Sequence, residues 1–258
     1  MYALLQGALL PPFSLKGEKE TMKRIELTPR LQAVASFVPK GARLADIGTD
    51  HAYLPVSLIL DGQIPGAVAA DLRPGPLDRA RKTAAEYGCT DKVTFRLCNG
   101  LSDVKSYETN VIAIAGMGGE TIADILSAAR WVKGKNLPVI MQPMSSQPEL
   151  RRWLWQNGYD IQAEKLVREG DTIYVVILAR AGECVPMSCA EEWAGRQYQG
   201  MEEPLRTDYL NGLLDKVNWA LQGLSKSKEG CRSPRYQEMD LVREGLEQMR
   251  EEWLQWQL

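Results

Sequence analysis

The sequence is short of the residues that build metal centres and disulfide frameworks. Its 258 residues contain five cysteines and one histidine, and no two cysteines form a CxxC pair. That argues against a zinc site of the usual Cys/His spacing, and no metal is expected. Cys89, Cys98, Cys184, Cys189 and Cys231 are odd in number and widely spaced, which implies free thiols in a reducing cytoplasm. No apolar run approaches the roughly 18–20 residues that cross a bilayer, so no membrane partner is expected. The opening stretch Met1–Leu10 is mildly apolar. It has no leading basic residue and no cleavage site, and does not read as a signal peptide. Met22 precedes the first well-patterned helix, so residues 1–21 read as an extension outside the fold.

Two phosphate-binding signatures are missing as well. There is no GxGxxG, and the glycine-rich run Gly116-Met117-Gly118-Gly119 is not followed by Lys-Ser/Thr, which excludes a P-loop. A net positive charge is also lacking, since the chain carries −2. The distribution says more than the total. Residues 1–182 hold 22 basic and 19 acidic side chains, a net +3, whereas 183–258 hold 9 and 14, a net −5. A polyanion would meet less repulsion from the first part.

What is present is an alternation of short apolar strands with helices. Thr28-Pro29 reads as an N-cap and first helical residue, and Leu31, Val34, Ala35 and Val38 follow at helical spacing. Strands are expected at Arg43–Ile47, Ala67–Ala70, Val93–Leu97, Val111–Ala115 and Pro138–Met141. Between and after them, helices are expected at Ala52–Leu60, Gly75–Tyr87, Glu120–Ala129 and Gln147–Gln156. Strands apolar on both faces suit a parallel sheet covered on both sides. Ile161–Val167 and Thr172–Ala179 are separated by a short link and imply an antiparallel hairpin. Five βα units closed by a hairpin predict an α/β sheet over residues 22–182, one that resembles the class I methyltransferase variant of the Rossmann-like fold. Beyond Gly182, two heptad seams appear: Leu210, Leu214, Val217, Leu221, Leu224, and Met239, Val242, Leu246, Met249, Trp253, Trp256. They predict a C-terminal helical coiled-coil domain over 183–258.

The residues that carry chemistry sit at strand ends, where open α/β sheets bind ligands. The first strand runs into Asp46-Ile47-Gly48-Thr49-Asp50-His51. Gly48 lets the backbone approach a ligand. A carboxylate at Asp50 would repel a pyrophosphate, which disfavours a nicotinamide dinucleotide, but it tolerates the cationic sulfonium of S-adenosylmethionine. The plainer reading is a strand-ending turn with solvated acids. Asp71, ending the second strand, suits ribose hydroxyls, or else caps the following helix. Asn99-Gly100 can reach the cofactor's adenine, or form an ordinary Asn-Gly turn. Gly116, Met117 and Gly118 mark close backbone approach at the fourth strand, with Gln142-Pro143 facing the same crevice from the fifth. His51 and Tyr53 flank the first turn as substrate candidates, Tyr53 by stacking on a base. Each also has a reading as a structural residue.

Taken together, Asp46-Ile47-Gly48-Thr49-Asp50-His51-Ala52-Tyr53-Leu54-Pro55, Ala115-Gly116-Met117-Gly118-Gly119 and Gln142-Pro143 resemble the bacterial TrmK-type tRNA (adenine-N1)-methyltransferases. The likeness spans about residues 28–182, and the helical tail matches in character. It implies S-adenosylmethionine as cofactor, tRNA as partner, and methylation of N1 of the adenine at tRNA position 22. Asn99 is a departure, because the family places an Asp there; altered cofactor affinity is the expectation. N1 of neutral adenine already carries a lone pair, so no base is needed to create the nucleophile. The product base is cationic, and a carboxylate beside the acceptor would stabilise it; Asp50 is the candidate for that catalytic role. Asp46 falls nearer the cofactor's amino-acid end. The rival readings are a small-molecule methyltransferase and a non-catalytic nucleotide- or RNA-binding module.

Overall fold

The structure is a computed structural model that describes residues 24–227 and 229–257. The extension expected at residues 1–21 lies outside the described residues. Helix α1 (Pro29–Ser36) opens the fold, with the Thr28 hydroxyl accepting from the Leu31 amide at its N-terminus. Then follow β1 (Arg43–Ile47), α2 (Tyr53–Leu60), β2 (Gly66–Asp71), α3 (Pro74–Glu86), β3 (Val93–Leu97), β4 (Val111–Gly118) and α4 (Gly119–Ala128). The remaining elements are α5 (Trp131–Gly134), β5 (Val139–Ser145), α6 (Gln147–Gln156), β6 (Tyr159–Glu169), β7 (Thr172–Ala181), α7 (Cys189–Ala194), α8 (Arg206–Leu224) and α9 (Pro234–Trp256).

The seven strands form one sheet in the order β3-β2-β1-β4-β5-β7-β6. Strands β1 to β5 pair in parallel, and β7 joins β5 and β6 antiparallel. This is the Rossmann-like methyltransferase arrangement. Side chains alternate between two cores, as a pleat requires. From β4, Ile112 and Ile114 enter the core on the α4 and α6 side, while Val111 and Ala113 enter the core under α1 to α3. With both faces covered, each strand reads as a continuous apolar run.

Strands β4 and β5 run past the carboxyl ends that their sequences suggest, and β6 and β7 are also longer than expected. Strand β4 continues to Gly118 and β5 to Ser145, but their pairing is irregular at Ala115, Met117 and Gly118. Gly116 sits in that irregularity at φ +76, a conformation that glycine adopts without penalty. Helix α7 was not anticipated, although Ser188 and Glu191 close a reciprocal capping box at its start.

The helices beyond β7 share a core with the sheet. Leu210, Leu214, Val217 and Leu221 of α8 and Met239, Val242, Leu246, Met249 and Trp253 of α9 are buried in the same cluster as β4, β5, α4 and α6. Two buried arginines fasten this junction. Arg151 of α6 pairs through Nε with Glu164 of β6 at 2.7 Å and donates from Nη1 to the carbonyls of Glu192 and Trp193. Arg206 of α8 donates to the carbonyls of Ala194 and Gly195. The two guanidinium groups therefore occupy the carbonyl end of α7, where a helix terminus carries partial negative charge. Burial pushes the Arg206 pKa down to about 10, so it is still charged at neutral pH.

Arg206→Ala should orphan two buried carbonyls, each costing about 1 kcal/mol or more. Urea unfolding is expected to show a loss of at least about 2 kcal/mol, and a variant as stable as the parent would remove Arg206 from the list of fasteners.

Candidate functional site

Strand β1 leads toward β2 and β3, whereas its neighbour β4 leads the other way, toward β5 and the hairpin. The connections diverge and leave a crevice at the carboxyl ends. There a cleft of about 430 Å³ is lined by Thr28, Arg30, Asp46, Gly48, Thr49, Asp50, His51, Tyr53, Asp71, Arg73, Gly116 and Gln142, among others. That volume lies in the range of ligand pockets. Most of the site residues expected from sequence meet here.

The β1 end supplies the acids. Asp46 is 7 % exposed and has no ion-pair partner among the described residues. Burial raises its pKa to about 6, opposed in part by Thr49 and reinforced by the nearby Asp71 charge. The buried Thr49 hydroxyl sits beside the Asp46 carboxylate and favours its charged form as a hydrogen-bond donor. Gly48 turns at φ +79, and a side chain there would meet the end of Met117. Asp71 is 8 % exposed, accepts the Arg73 amide through Oδ1 at 2.8 Å and lies 3.8 Å from the Arg73 Nε. Asp50 stands at the rim, ion-paired through Oδ1 with Arg79 of α3, while its Oδ2 lies 3.7 Å from His51 Nε2. His51 and Tyr53 stack with ring centroids 4.9 Å apart.

The opposite wall is built around Gln142. Its amide is 1 % exposed; Oε1 accepts the Gly116 amide at 3.2 Å and Nε2 donates to the Pro143 carbonyl at 3.1 Å. Gln142 thus holds the glycine turn open, and nothing occupies the space where a Gly116 side chain would stand. The first helix adds Thr28, Arg30 and Leu31 to the cleft. These three were missed as site residues, because Thr28 and Leu31 signal only a helix start and nothing in local sequence sends Arg30 across the sheet.

Some expected residues do not line this cleft. Asn99 opens onto a neighbouring cavity of about 630 Å³ between α4 and the 101–107 loop. Gly100 faces Ile125, Met117 packs over Gly48, Gly118 precedes α4 as its N-cap, and Pro143 is buried in β5. A third cavity, beside β6, holds only about 160 Å³, too small for a nucleoside cofactor. Among the described residues no cluster of His, Cys, Asp and Glu could hold a metal ion, and no helix is long and apolar enough to cross a membrane.

Comparison with known proteins places this geometry. A family described as "Methyltransferase domain" matches residues 27–177. The tRNA (adenine(22)-N(1))-methyltransferase of Bacillus subtilis is 36% identical over 162 residues, which are 63% of this chain and 68% of that protein. The crystal structure of the B. subtilis m1A22 tRNA methyltransferase TrmK superposes with a TM-score of 0.78 at 28% identity, covering 88% of this chain and 100% of that one. The structure of M. capricolum TrmK in complex with S-adenosyl-homocysteine, its natural cofactor product, gives a TM-score of 0.72 at 27% identity over 86% and 98% of the two chains. The chain belongs to this methyltransferase-domain family and, within it, to the TrmK type.

The raised Asp46 pKa has a pH consequence for the protein alone. Its carboxyl is protonated more readily folded than unfolded, so its contribution to stability is full below about pH 4 and is lost as pH rises through about 6. The shift is worth up to about 3 kcal/mol. Unfolding free energies measured from pH 4 to pH 8 should fall across that window in the parent and be flatter in Asp46→Asn. Equal slopes would show that Asp46 titrates normally.

Proposed function

We propose that this protein transfers a methyl group from S-adenosylmethionine to N1 of an adenine in tRNA, at position 22, giving 1-methyladenosine. The observation that carries the reading is the buried, unpaired Asp46 beside the Gly48 turn. At neutral pH that carboxylate is ionised against the cost of burial, and a cationic ligand would relieve the cost. A dinucleotide pyrophosphate would instead meet three carboxylates, Asp46, Asp50 and Asp71.

The residues present fit the cofactor. Thr49 offers a buried hydroxyl beside Asp46, Gly116 leaves backbone open to the cleft, and Asp71 keeps its Oδ2 for ribose hydroxyls. Gly48 lets the chain pass close by, and Asp46 suits the amino-acid end. Asn99 and Gly100 belong to the adenine end in this reading, with Met117 and Gly118 bordering it. When bound, the cofactor supplies an electrophilic methyl on a positively charged sulfur. The protein's own part is then to bring the adenine edge to that carbon and to support the charge that N1 acquires. Asp50, at the rim between the cofactor wall and the stacked His51–Tyr53 pair, is placed for that support. Its ion pair with Arg79 fixes the carboxylate and tempers its charge. His51, Tyr53 and Gln142 border the space left for the base, with Pro143 behind them.

Function divides along the chain in the same reading. Residues 22–182 hold the cofactor and perform the chemistry, and 183–258 help to grip the tRNA. A tRNA-modifying role places the protein in the cytoplasm. The small-molecule alternative is the weaker reading, because among the described residues no lid covers the cleft and Tyr53 is exposed at its lining.

The test is methylation of unmodified tRNA transcripts followed by mapping of the modified base. Adenine 22 methylated at N1 is the expected product, and no methylation of any transcript would overturn the reading. Asp50→Ala should slow turnover by roughly 10²–10⁴-fold while leaving cofactor affinity near that of the parent. Asp71→Ala should do the reverse, weakening cofactor binding by about 1–3 kcal/mol. Full turnover in Asp50→Ala would remove it from the chemistry.

A further inference from the structure

The cleft is electrically divided. Asp46, Asp50 and Asp71 line its β1–β2 side, and Arg73 and Arg79 there are already engaged by Asp71 and Asp50. The α1–β5 side presents Thr28, Arg30, Leu31 and Gln142. Arg30 is the one basic side chain that this side contributes among the described residues.

Its orientation is set from three directions. The Arg30 backbone amide and Nε donate to the Glu169 carboxylate at 3.2 and 3.0 Å. Its guanidinium carbon stands 4.8 Å from the centre of the Tyr174 ring. Nη1 reaches Gln142 Oε1 at 3.5 Å and Met144 Sδ at 3.1 Å, contacts weaker than the pair with Glu169. Nη2 has no hydrogen-bond partner among the described residues and is not a buried orphan. The arginine is therefore held rigidly by one edge while the other remains accessible to whatever enters the cleft. Burial opposes the charge on Glu169, but the Arg30 hydrogen bonds outweigh it and keep that carboxyl below its usual range.

We propose that Arg30 is a phosphate anchor, binding the RNA backbone next to the adenosine that enters the cleft. This rests on the reading of the protein as a tRNA methyltransferase. The methylated base is cationic, so a guanidinium touching the base edge would oppose the reaction. The anionic group that RNA offers is phosphate, and a planar fork fixed by one edge matches it. An adenine must leave its stack to reach the crevice, and enzymes that act on extruded bases meet an unstacking cost. A backbone contact at the cleft wall offsets that cost only when the strand is engaged. The acid side then serves the cationic cofactor and the arginine side serves the strand.

The experiment compares the full-length parent with Arg30→Gln, Arg30→Lys and Glu169→Gln. It uses unmodified tRNA transcript as substrate at about 50 to 200 mM salt. Arg30→Gln should raise KM for tRNA about tenfold, the effect of losing one charge-assisted contact. It should also reduce the salt dependence by about one phosphate contact and leave cofactor affinity in titration unchanged. Arg30→Lys should recover part of the KM, since it keeps the charge. Glu169→Gln weakens the hold on Arg30 but keeps the cation, and should raise KM less than Arg30→Gln does. A merely structural Arg30, tying α1 to the hairpin, predicts equal losses in Arg30→Gln and Glu169→Gln; that result overturns the proposal, as does an unchanged KM and salt slope in Arg30→Gln. A parent protein that methylates no transcript overturns the functional reading itself, which distinguishes the two failures.

Discussion

Strands β1 and β4 lie side by side, yet the chain leaves them in opposite directions across the sheet, and the site depends on that divergence. Parallel strands with helices on both faces need a connection at every carboxyl end. Only where successive connections part company is there room for a ligand. Asp46 and Gly48 come from one side of the parting and Gly116 from the other. Both glycines adopt positive φ, +79 and +76, where any other residue would carry strain of about 1–2 kcal/mol. The Gln142 side chain then ties the Gly116 turn to β5, so the crevice is held open by a buried hydrogen bond rather than by loop length.

The same crevice concentrates unfavourable charge. Asp46 and Asp71 are almost fully buried, and Asp46 has no counter-ion among the described residues. Such an arrangement lowers the stability of the empty fold and becomes favourable when a cation is present. A site that is costly alone and favourable when filled is the expected form of a pre-organised ligand pocket. The left-handed backbone of Ala52, directly after this segment, adds a second local strain at the same place.

The parts of this structure legible in sequence are those whose signals are local. Apolar runs such as Val111–Ala115 mark parallel strands because both faces are covered. The leucine and methionine seams of α8 and α9 mark buried helix faces for the same reason. The Asp46–His51 segment declares itself through an unusual combination of acids and glycine at a strand end. What was not legible depends on distant partners. Arg30 reaches the cleft only because α1 crosses to the hairpin, where its acceptor lies 139 residues away in sequence. The extension of β4 through Gly116 and Gly118 is sustained by pairing with β5, against their low strand propensity. Helix α7 carries a complete capping signal, but its six residues are too few for a periodic pattern.

Strand β6 joins these pieces mechanically. As one of the sheet's two edge strands it exposes backbone donors that must be satisfied or screened, and the Leu166 amide donates to Glu203 Oε2 at 2.9 Å. Along the same strand, Glu164 holds Arg151 and with it the carbonyl end of α7, Arg168 pairs with Asp208 of α8, and Glu169 holds Arg30 at the cleft. The helices beyond β7 and the first helix thus attach to one strand from opposite faces. The Arg168–Asp208 pair is exposed and contributes little, but the Arg151 and Arg206 contacts are buried and directional, so the attachment does not behave as a flexible tether. A hairpin that ends a sheet is usually peripheral to its site. Here it holds α8 through Arg168 and also holds Arg30, the one arginine that the α1–β5 side of the crevice contributes among the described residues. RNA gripped by those helices would meet a cleft whose position relative to the grip is set by β6.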